Sequence, residues 1–450
     1  MTLWTRPEAE AATLGRASAD FAVRGLSIDT RTIKEGDLFV ALKGARDGHD
    51  FVGAAFAAKA GAALVSRPVE NAKGPLLSVA DTQRGLEDLA RAARARSSGK
   101  ILAVTGSAGK TTTKEILRLC CNALGRTHAS AASYNNHWGV PLSLASLPRE
   151  AEYGVFEIGM NHAGEIRNLV SLVRPHVALI TTIAAAHLEF FGSCEAIADA
   201  KSEIFEGLVP GGVALIPSDS PYADRLAVRA AQVQVGRLVR FGTTGEARLL
   251  SFVPDGDGMR VKADILGRAV DCLVGAPGEH IARNVVAALA MVALADGDVL
   301  NAAAALKNFA ALKGRGARFD ANGIQVIDES YNANPASMVA ALALLGNAPG
   351  RKLAVLGDML EMGEGGPALH AALAEPIATA KADLVFASGR QMKALWDALP
   401  PARRGAYAED SAALAPKLMA AVKSGDTVLV KGSLGSRMAV IVEALRGAAG

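Results

Sequence analysis

The 450-residue chain is long enough for about three domains of ordinary size, and at 50% hydrophobic residues each can bury a core. Its formal net charge of +3 is small and unclustered, and no basic block is interleaved with aromatics, which argues against a nucleic-acid partner. No apolar run is long enough to span a membrane, the four cysteines (Cys120, Cys121, Cys194, Cys272) form no C-x-x-C pair, and no signal-peptide pattern precedes them, so a reducing, cytoplasmic setting without structural zinc is expected.

The pattern predicts an α/β chain in three blocks. The first, residues 1–98, holds short strands at Leu38–Leu42 and Ala62–Val65. It ends in a charged helix, Thr82–Arg96, followed by Ser97-Ser98-Gly99, which reads as a linker. The second block, residues 99–313, opens with the apolar strand Ile101–Val104. Apolar strands at Tyr153–Ile158 and Val177–Ile183 and a helix at Ala196–Leu208 continue it, the alternation of a parallel, doubly wound sheet. A β-rich insertion is expected near Arg248–Val274, turning at Pro254–Gly258, and then a helix at Ile281–Ala295. Lys313-Gly314-Arg315-Gly316 reads as a second linker. The third block, residues 314–450, places strands at Ile324–Ile327, Leu353–Leu356, Leu384–Ala387 and Thr427–Val430 between alanine-rich helices. It has the look of a small Rossmann-type unit without G-x-G-x-x-G, so a dinucleotide is not indicated.

The segment richest in chemistry is Thr105–Lys114, Thr-Gly-Ser-Ala-Gly-Lys-Thr-Thr-Thr-Lys. It lies between the strand Ile101–Val104 and a helical pattern of Ile116, Leu117, Leu119, Cys120 and Leu124. Gly106 and Gly109 let the backbone turn its N–H groups inward, and the helix that follows adds its positive end. The residues Gly106, Ser107, Ala108, Gly109, Lys110, Thr111 and Thr112 thus form an expected cradle for ATP phosphates. Lys110 can reach the terminal phosphates, and the Thr111 hydroxyl can ligate Mg²⁺. Only two residues separate the glycines, where the common pattern has four, which points away from GTPases and motors. A glycine turn that binds nothing would leave the lysine and three threonines unexplained.

In open parallel sheets, ligands lie beyond the carboxyl ends of the strands. Glu157 is the penultimate residue of the strand Tyr153–Ile158, and His187 follows the strand Val177–Ile183 by a few residues. With the phosphate loop they would make a phosphoryl-transfer site around Mg²⁺. Taken singly, Glu157 also fits an ion-paired carboxylate and His187 an ordinary loop histidine. Lys201 falls inside the apolar stripe Ile197, Ile204, Phe205, Leu208. Burial would favour its neutral amine, which can act as a nucleophile or combine with CO₂ to a carbamate. The plain alternative is a lysine that snorkels to the helix edge. In the third block, Ile327-Asp328-Glu329-Ser330-Tyr331-Asn332-Ala333-Asn334-Pro335 joins paired acids, suited to ribose hydroxyls or a metal, to an Asn/Pro turn before a helix.

Together with Asn135–Leu142, Glu157–Asn161, Ala186–Glu189, Ala200–Ile204, Gly278–His280 with Asn284, Gly314–Gly316 and Leu356–Gly363, these segments resemble the Mur ligase family, the ATP-dependent amino-acid ligases of peptidoglycan synthesis. The likeness covers nearly the whole chain. The Tyr-Asn-Ala-Asn-Pro and Gly-Asp-Met-Leu-Glu runs point within it to the activity that joins D-alanyl-D-alanine to UDP-MurNAc-tripeptide. The resemblance implies a UDP-muramyl domain over residues 1–98, a central P-loop ATPase domain over 99–313 and a Rossmann-like ligase domain over 314–450 of a monomer. It implies ATP and Mg²⁺, with Lys110, Glu157, His187 and Lys201 catalytic. Thr111, Glu157, His187 and a carbamylated Lys201 would serve the metal. Asn284, Asp328 and Asn332 would face the adenosine, and Arg315 the phosphates. Ser27, Thr30, Arg31, Lys43, Asp47, Gly48 and His49 would hold the UDP.

Some residues depart from the family pattern. Thr182 stands where an asparagine is common, and Glu329 where a second aspartate is common, so Asp328 and Glu329 are both candidates for the ribose. The stretch after Lys431-Gly432-Ser433 matches loosely. The competing readings are the sibling ligase that adds a free diamino acid, a folylpolyglutamate synthetase, and a P-loop kinase or nucleotide-gated binding protein.

Overall fold

The computed structural model describes residues 2–131 and 133–447. Among the described residues the larger sheets are three, one in each block. The first orders its strands Arg16–Ala17, Leu76–Ser78, Ala62–Val65, Asp37–Val40 and Gly25–Ser27, parallel except for the Arg16–Ala17 edge.

The central sheet runs Arg268–Val274, Gly258–Ile265, Ala247–Asp255, Arg237–Gly242, Val213–Pro217, Val177–Ile180, Lys100–Thr105, Tyr153–Glu157 and Thr127–Ala129. The phosphate-loop strand Lys100–Thr105 has parallel neighbours on both sides, Tyr153–Glu157 and Val177–Ile180. Loops leaving these three strands therefore emerge at one edge of the sheet, where ligands gather in such folds. The expected β insertion is an antiparallel meander that extends this same sheet through Ala247–Asp255. The third sheet runs Ala317–Ala321, Ile324–Glu329, Asp426–Lys431, Arg351–Gly357, Leu384–Ser388 and Arg404–Ala408, parallel apart from its first pair.

The strands carry near-continuous apolar runs because helices cover both faces. Lys110–Asn122 and Glu279–Leu294 pack on one face of the central sheet through Ile116, Leu117, Cys120, Val285 and Leu289. The other face is shared: Leu86, Leu89 and Ala93 of the helix Thr82–Arg96 join Ile101, Val140, Leu144, Phe156 and Ile166 in one core. Ser97-Ser98-Gly99 is thus a short crossing over a common core and not a free linker. Gly99 is buried, and a Cβ there would meet the Ala151 carbonyl at 2.3 Å. Trp4 Nε1–H donates to the Ala145 carbonyl (2.9 Å), and Arg94 donates to the carbonyls of Val173 (2.9 Å) and Arg174 (2.8 Å), tying the first block to the second.

Two predicted elements end early. The strand at Val177 stops at Ile180, because Thr181 turns its hydroxyl onto the Ala108 carbonyl (2.6 Å). The helix expected to reach Leu208 is Cys194–Ser202 followed by a 3₁₀ turn, Glu203–Gly207. There Glu203 accepts from the N–H groups of Gly164 (2.8 Å) and Arg167 (3.1 Å), capping another helix. The strands Ala317–Ala321 and Arg404–Ala408, with weaker apolar alternation, were not expected. Among the described residues no helix is long and apolar enough to cross a membrane.

Candidate active site

The phosphate loop takes the backbone form that its glycines permit. Gly106 has φ 149° and Gly109 φ 82°, both in the positive-φ region that residues with side chains avoid. A Cβ at Gly106 would lie 1.9 Å from Thr181 Oγ1, and one at Gly109 would lie 3.0 Å from Asn284 Oδ1. The helix Lys110–Asn122 starts directly after Gly109, so its free N–H groups face the loop. Ser107 is pinned at both ends: its N–H donates to the Thr182 carbonyl (2.8 Å) and its hydroxyl to the Ala184 carbonyl (3.0 Å). Lys110 Nζ donates to the Gly106 carbonyl (2.7 Å), curling back over the loop. Burial holds the Lys110 amine below its ordinary value, with the Glu157 carboxylate opposing and Arg315 reinforcing that shift.

Glu157 is fully buried at the end of its strand, and both oxygens are engaged. Oε2 accepts from the Thr111 hydroxyl (2.8 Å) and Oε1 from Asn135 Nδ2–H (2.7 Å). Among the described residues no three His, Cys, Asp or Glu side chains converge as a ready-made metal cage. That suits Mg²⁺, which is usually held by one or two carboxylates with phosphate oxygens and water completing the shell. Thr111 and Glu157 offer such a hydroxyl and carboxylate beside the phosphate loop. His187 caps the short helix Leu188–Phe191 at φ 61°, and its Nδ1 lies 2.5 Å from Glu361 Oε2. Burial lowers the His187 imidazole, Glu361 opposes this, and Lys201 and Lys110 add to it.

Lys201 does not snorkel. It is 1% exposed, and its amine makes no hydrogen bond or ion pair among the described residues. Burial, and then the nearby Lys110 charge, push that amine well below its ordinary value. The Lys201 amine therefore sits within electrostatic reach of both Lys110 and His187.

These groups border a cavity of 1080 Å³ to which all three blocks contribute: Glu87 and Arg91 from the first, Lys110 and Glu157 from the second, Arg315 and Glu329 from the third. Ser107, Ala108, Gly109, Thr112, His187, Asn284 and Asn332 also line it, whereas Gly106, Thr111 and Lys201 do not. The third block leans directly on the loop. Arg315 Nη2–H donates to Ser133 Oγ (3.0 Å) with its guanidinium 4.1 Å from the Tyr331 ring centroid, and Asn334 Nδ2–H donates to the Ser107 carbonyl (3.3 Å). The turn carrying Arg315 is locked and not a loose linker: Gly314 N–H donates to Asp328 Oδ2 (3.0 Å), and Gly316 N–H to the Asp328 carbonyl (2.9 Å).

That lock corrects the reading of Asp328 as an adenosine contact. Asp328 is fully buried; its other oxygen accepts from the Ser330 N–H (3.1 Å) and hydroxyl (2.6 Å), so the carboxylate is used up inside the fold. Glu329 is the acid that reaches the cavity, 3.3 Å from Lys431 Nζ. Asn135, Glu361 and Lys431 lie in the family-like segments, and their positions beside Glu157, His187 and Glu329 become apparent only in three dimensions.

None of the first-block segments lines this cavity. Arg31 and Lys43 are exposed and Thr30 is half-buried, open to a ligand. Ser27 donates its hydroxyl to the Asp29 carbonyl (2.9 Å), and Arg31 pairs with Asp29 (2.6 Å), holding that carboxyl down at about 2. Asp47, Gly48 and His49 also build the local fold, with Asp47 and Gly48 half-buried and His49 buried. The buried His49 ring sets Nδ1 2.6 Å from Asp47 Oδ1 and accepts the Ser66 N–H at Nε2 (2.8 Å), leaving neither nitrogen free. Asp47 also caps its 3₁₀ turn through the His49 N–H (3.0 Å), and a Cβ at Gly48 would strike the Leu42 carbonyl at 2.6 Å.

Three family models match in order: "Mur ligase family, catalytic domain" over residues 22–94, "Mur ligase middle domain" over 104–292, and "Mur ligase, glutamate ligase domain" over 314–434. The chain is similar to the UDP-N-acetylmuramoyl-tripeptide–D-alanyl-D-alanine ligase of Escherichia coli, 37% identical over 95% of each chain. Among solved structures it is similar to MurF from Acinetobacter baumannii, with a TM-score of 0.88 and 30% identity over 99% of each chain. It is also similar to the MurF ligase of Thermotoga maritima in complex with ADP, with a TM-score of 0.81 and 27% identity over 95% of this chain and 98% of that one.

Proposed function

The chain belongs to the Mur ligase family, and from that premise we propose that it joins D-alanyl-D-alanine to UDP-MurNAc-tripeptide, converting ATP to ADP and phosphate and giving UDP-MurNAc-pentapeptide. The observation that carries this reading is the single cavity in which the phosphate loop, Glu157 and His187 meet Arg315 and Glu329 of the third block and Glu87 and Arg91 of the first. One ligation needs a nucleotide, an acid and an amine together, and three units around one space provide for that.

The terminal carboxylate of the tripeptide attacks the γ-phosphorus, the bond to the ADP oxygen breaks, and an acyl phosphate forms. The amine of the dipeptide then adds to the activated carbonyl, loses a proton, and expels phosphate as the amide closes. Lys110 and Arg315 place positive charge where negative charge builds on the transferring group. Mg²⁺, held by Thr111, Glu157, His187 and the Lys201 position, would polarise the phosphoryl oxygens when bound. Asn284 and Asn332, with Glu329, hold the adenosine. The third block covers the loop and keeps water from the acyl phosphate.

At Lys201 the neutral amine combines with CO₂, forming an N–C bond and releasing one proton, and the resulting carbamate supplies the anion that the buried position lacks. The unpartnered, desolvated amine supports this. Residues 1–98 serve the UDP handle through Ser27, Thr30, Arg31 and Lys43, residues 99–313 the ATP, and residues 314–450 the closing ligase unit of a cytoplasmic monomer. An oxygen-18 experiment tests the acyl phosphate. With both oxygens of the tripeptide's terminal carboxylate labelled, one label should appear in the released phosphate. Unlabelled phosphate would rule that route out.

A further inference from the structure

His187 belongs to the central block, yet the carboxylate that holds its ring comes from the third. Glu361 lies 174 residues away in sequence, and its Oε2 sits 2.5 Å from His187 Nδ1. A second contact fixes the approach: Glu189 N–H donates to the Glu361 carbonyl (3.1 Å). Both residues have left-handed backbones without being glycine, φ 61° at His187 and 63° at Glu361. Such conformations persist only where surroundings impose them, and they gather at functional sites. The loop that presents Glu361 is braced from within its own block. Asp358 Oδ1 accepts the Met392 N–H (2.8 Å), Met359 N–H donates to His370 Nε2 (2.9 Å), and Leu360 N–H donates to Ser433 Oγ (3.0 Å). Met359 and Met362 are buried on either side. His187 Nε2 has no hydrogen-bond partner among the described residues, and the residue lines the cavity.

We propose that Glu361 is a positioning residue through which seating of the third block completes the metal site: its carboxylate takes the His187 Nδ1–H, fixing the ring and tautomer that leave Nε2 free for the cation. This rests on the reading of His187 as a ligand of the metal that accompanies ATP. A carboxylate behind a ligating histidine orients it and raises its basicity. Here that carboxylate arrives from another unit, so metal binding and domain closure favour one another by linkage.

The test uses the full chain with Mn²⁺ in place of Mg²⁺ and a non-hydrolysable ATP analogue. Mn²⁺ affinity is read by electron paramagnetic resonance and closure by small-angle scattering. Glu361→Ala should weaken Mn²⁺ by about tenfold or more and reduce closure on adding metal. Glu361→Gln, whose amide oxygen still accepts, should recover part of both. In a His187→Ala background, Glu361→Ala should cost nothing further in Mn²⁺ affinity. If His187→Ala weakens Mn²⁺ but Glu361→Ala does not, this inference fails and the site reading stands. If His187→Ala has no effect, both fall. None of these readouts depends on which amine is ligated.

Discussion

Lys201 and Asp47 show how the same physics serves two ends. The Lys201 side chain is buried among apolar neighbours, whereas Asp47 is a carboxylate satisfied by its neighbours. Lys201→Ala should abolish ligation while leaving nucleotide binding measurable. Added short carboxylates should restore some activity through the vacated space, and bicarbonate should not; near-normal activity of the variant would remove the carbamate from the account. Asp47 is held down at about 2 from its ordinary 3.8, first by the His49 N–H and then by its ring. In that interval the unfolded chain binds more protons than the folded one, so the contribution is present above the ordinary value and is lost as pH falls towards about 2. Asp47→Asn should therefore lower stability at neutral pH and flatten its acid dependence in that window, as denaturant melts would record. A variant with an unchanged acid limb would contradict the scaffold role.

Elements differ in how far their sequence announces them. The phosphate loop has a local signal: two glycines, a lysine and a helix start announce it, although contacts from Thr181, Thr182 and Ala184 pin it. Gly106→Ala should accordingly destroy nucleotide binding, since its Cβ would strike Thr181 in a backbone region that alanine avoids. Gly53→Ala, inside the helix Val52–Ala57 with open space around the new methyl, should instead stabilise by about 0.4–1 kcal/mol. Paired nucleotide titrations and thermal melts would check both, and an active Gly106→Ala enzyme would contradict the loop geometry. Lys201 was legible because a charge inside an apolar stripe breaks a period. Asp328, by contrast, sits at a strand end like a ligand, and only its pairing with the Gly314 N–H, 14 residues away, turns it inward. A far longer separation, 174 residues, hid the role of Glu361, whose partner is in another block. The helix Thr82–Arg96 declared an apolar face but not its partner, so the core it shares with the central sheet stayed invisible beside a Ser-Ser-Gly that looked like a tether.

At the scale of the whole molecule, the three sheets matter less than the space between them. The first block is fused to the second by a common core, whereas the third has cores of its own and touches the central block around the phosphate loop through polar contacts: Arg315 to Ser133, Asn334 to Ser107 and Glu361 to His187. Polar contacts of that kind can open and close, so the third block is the unit expected to move during turnover. The cavity it covers must bring an acid, a nucleotide and an amine into register before ATP is consumed. Phosphate release from ATP in the presence of UDP-MurNAc-tripeptide, measured with and without D-alanyl-D-alanine and followed by mass analysis of the product, tests this most directly. Release that depends on the dipeptide and yields UDP-MurNAc-pentapeptide is the predicted result. Release that ignores the dipeptide, or that requires UDP-MurNAc-dipeptide and a free diamino acid instead, would contradict it.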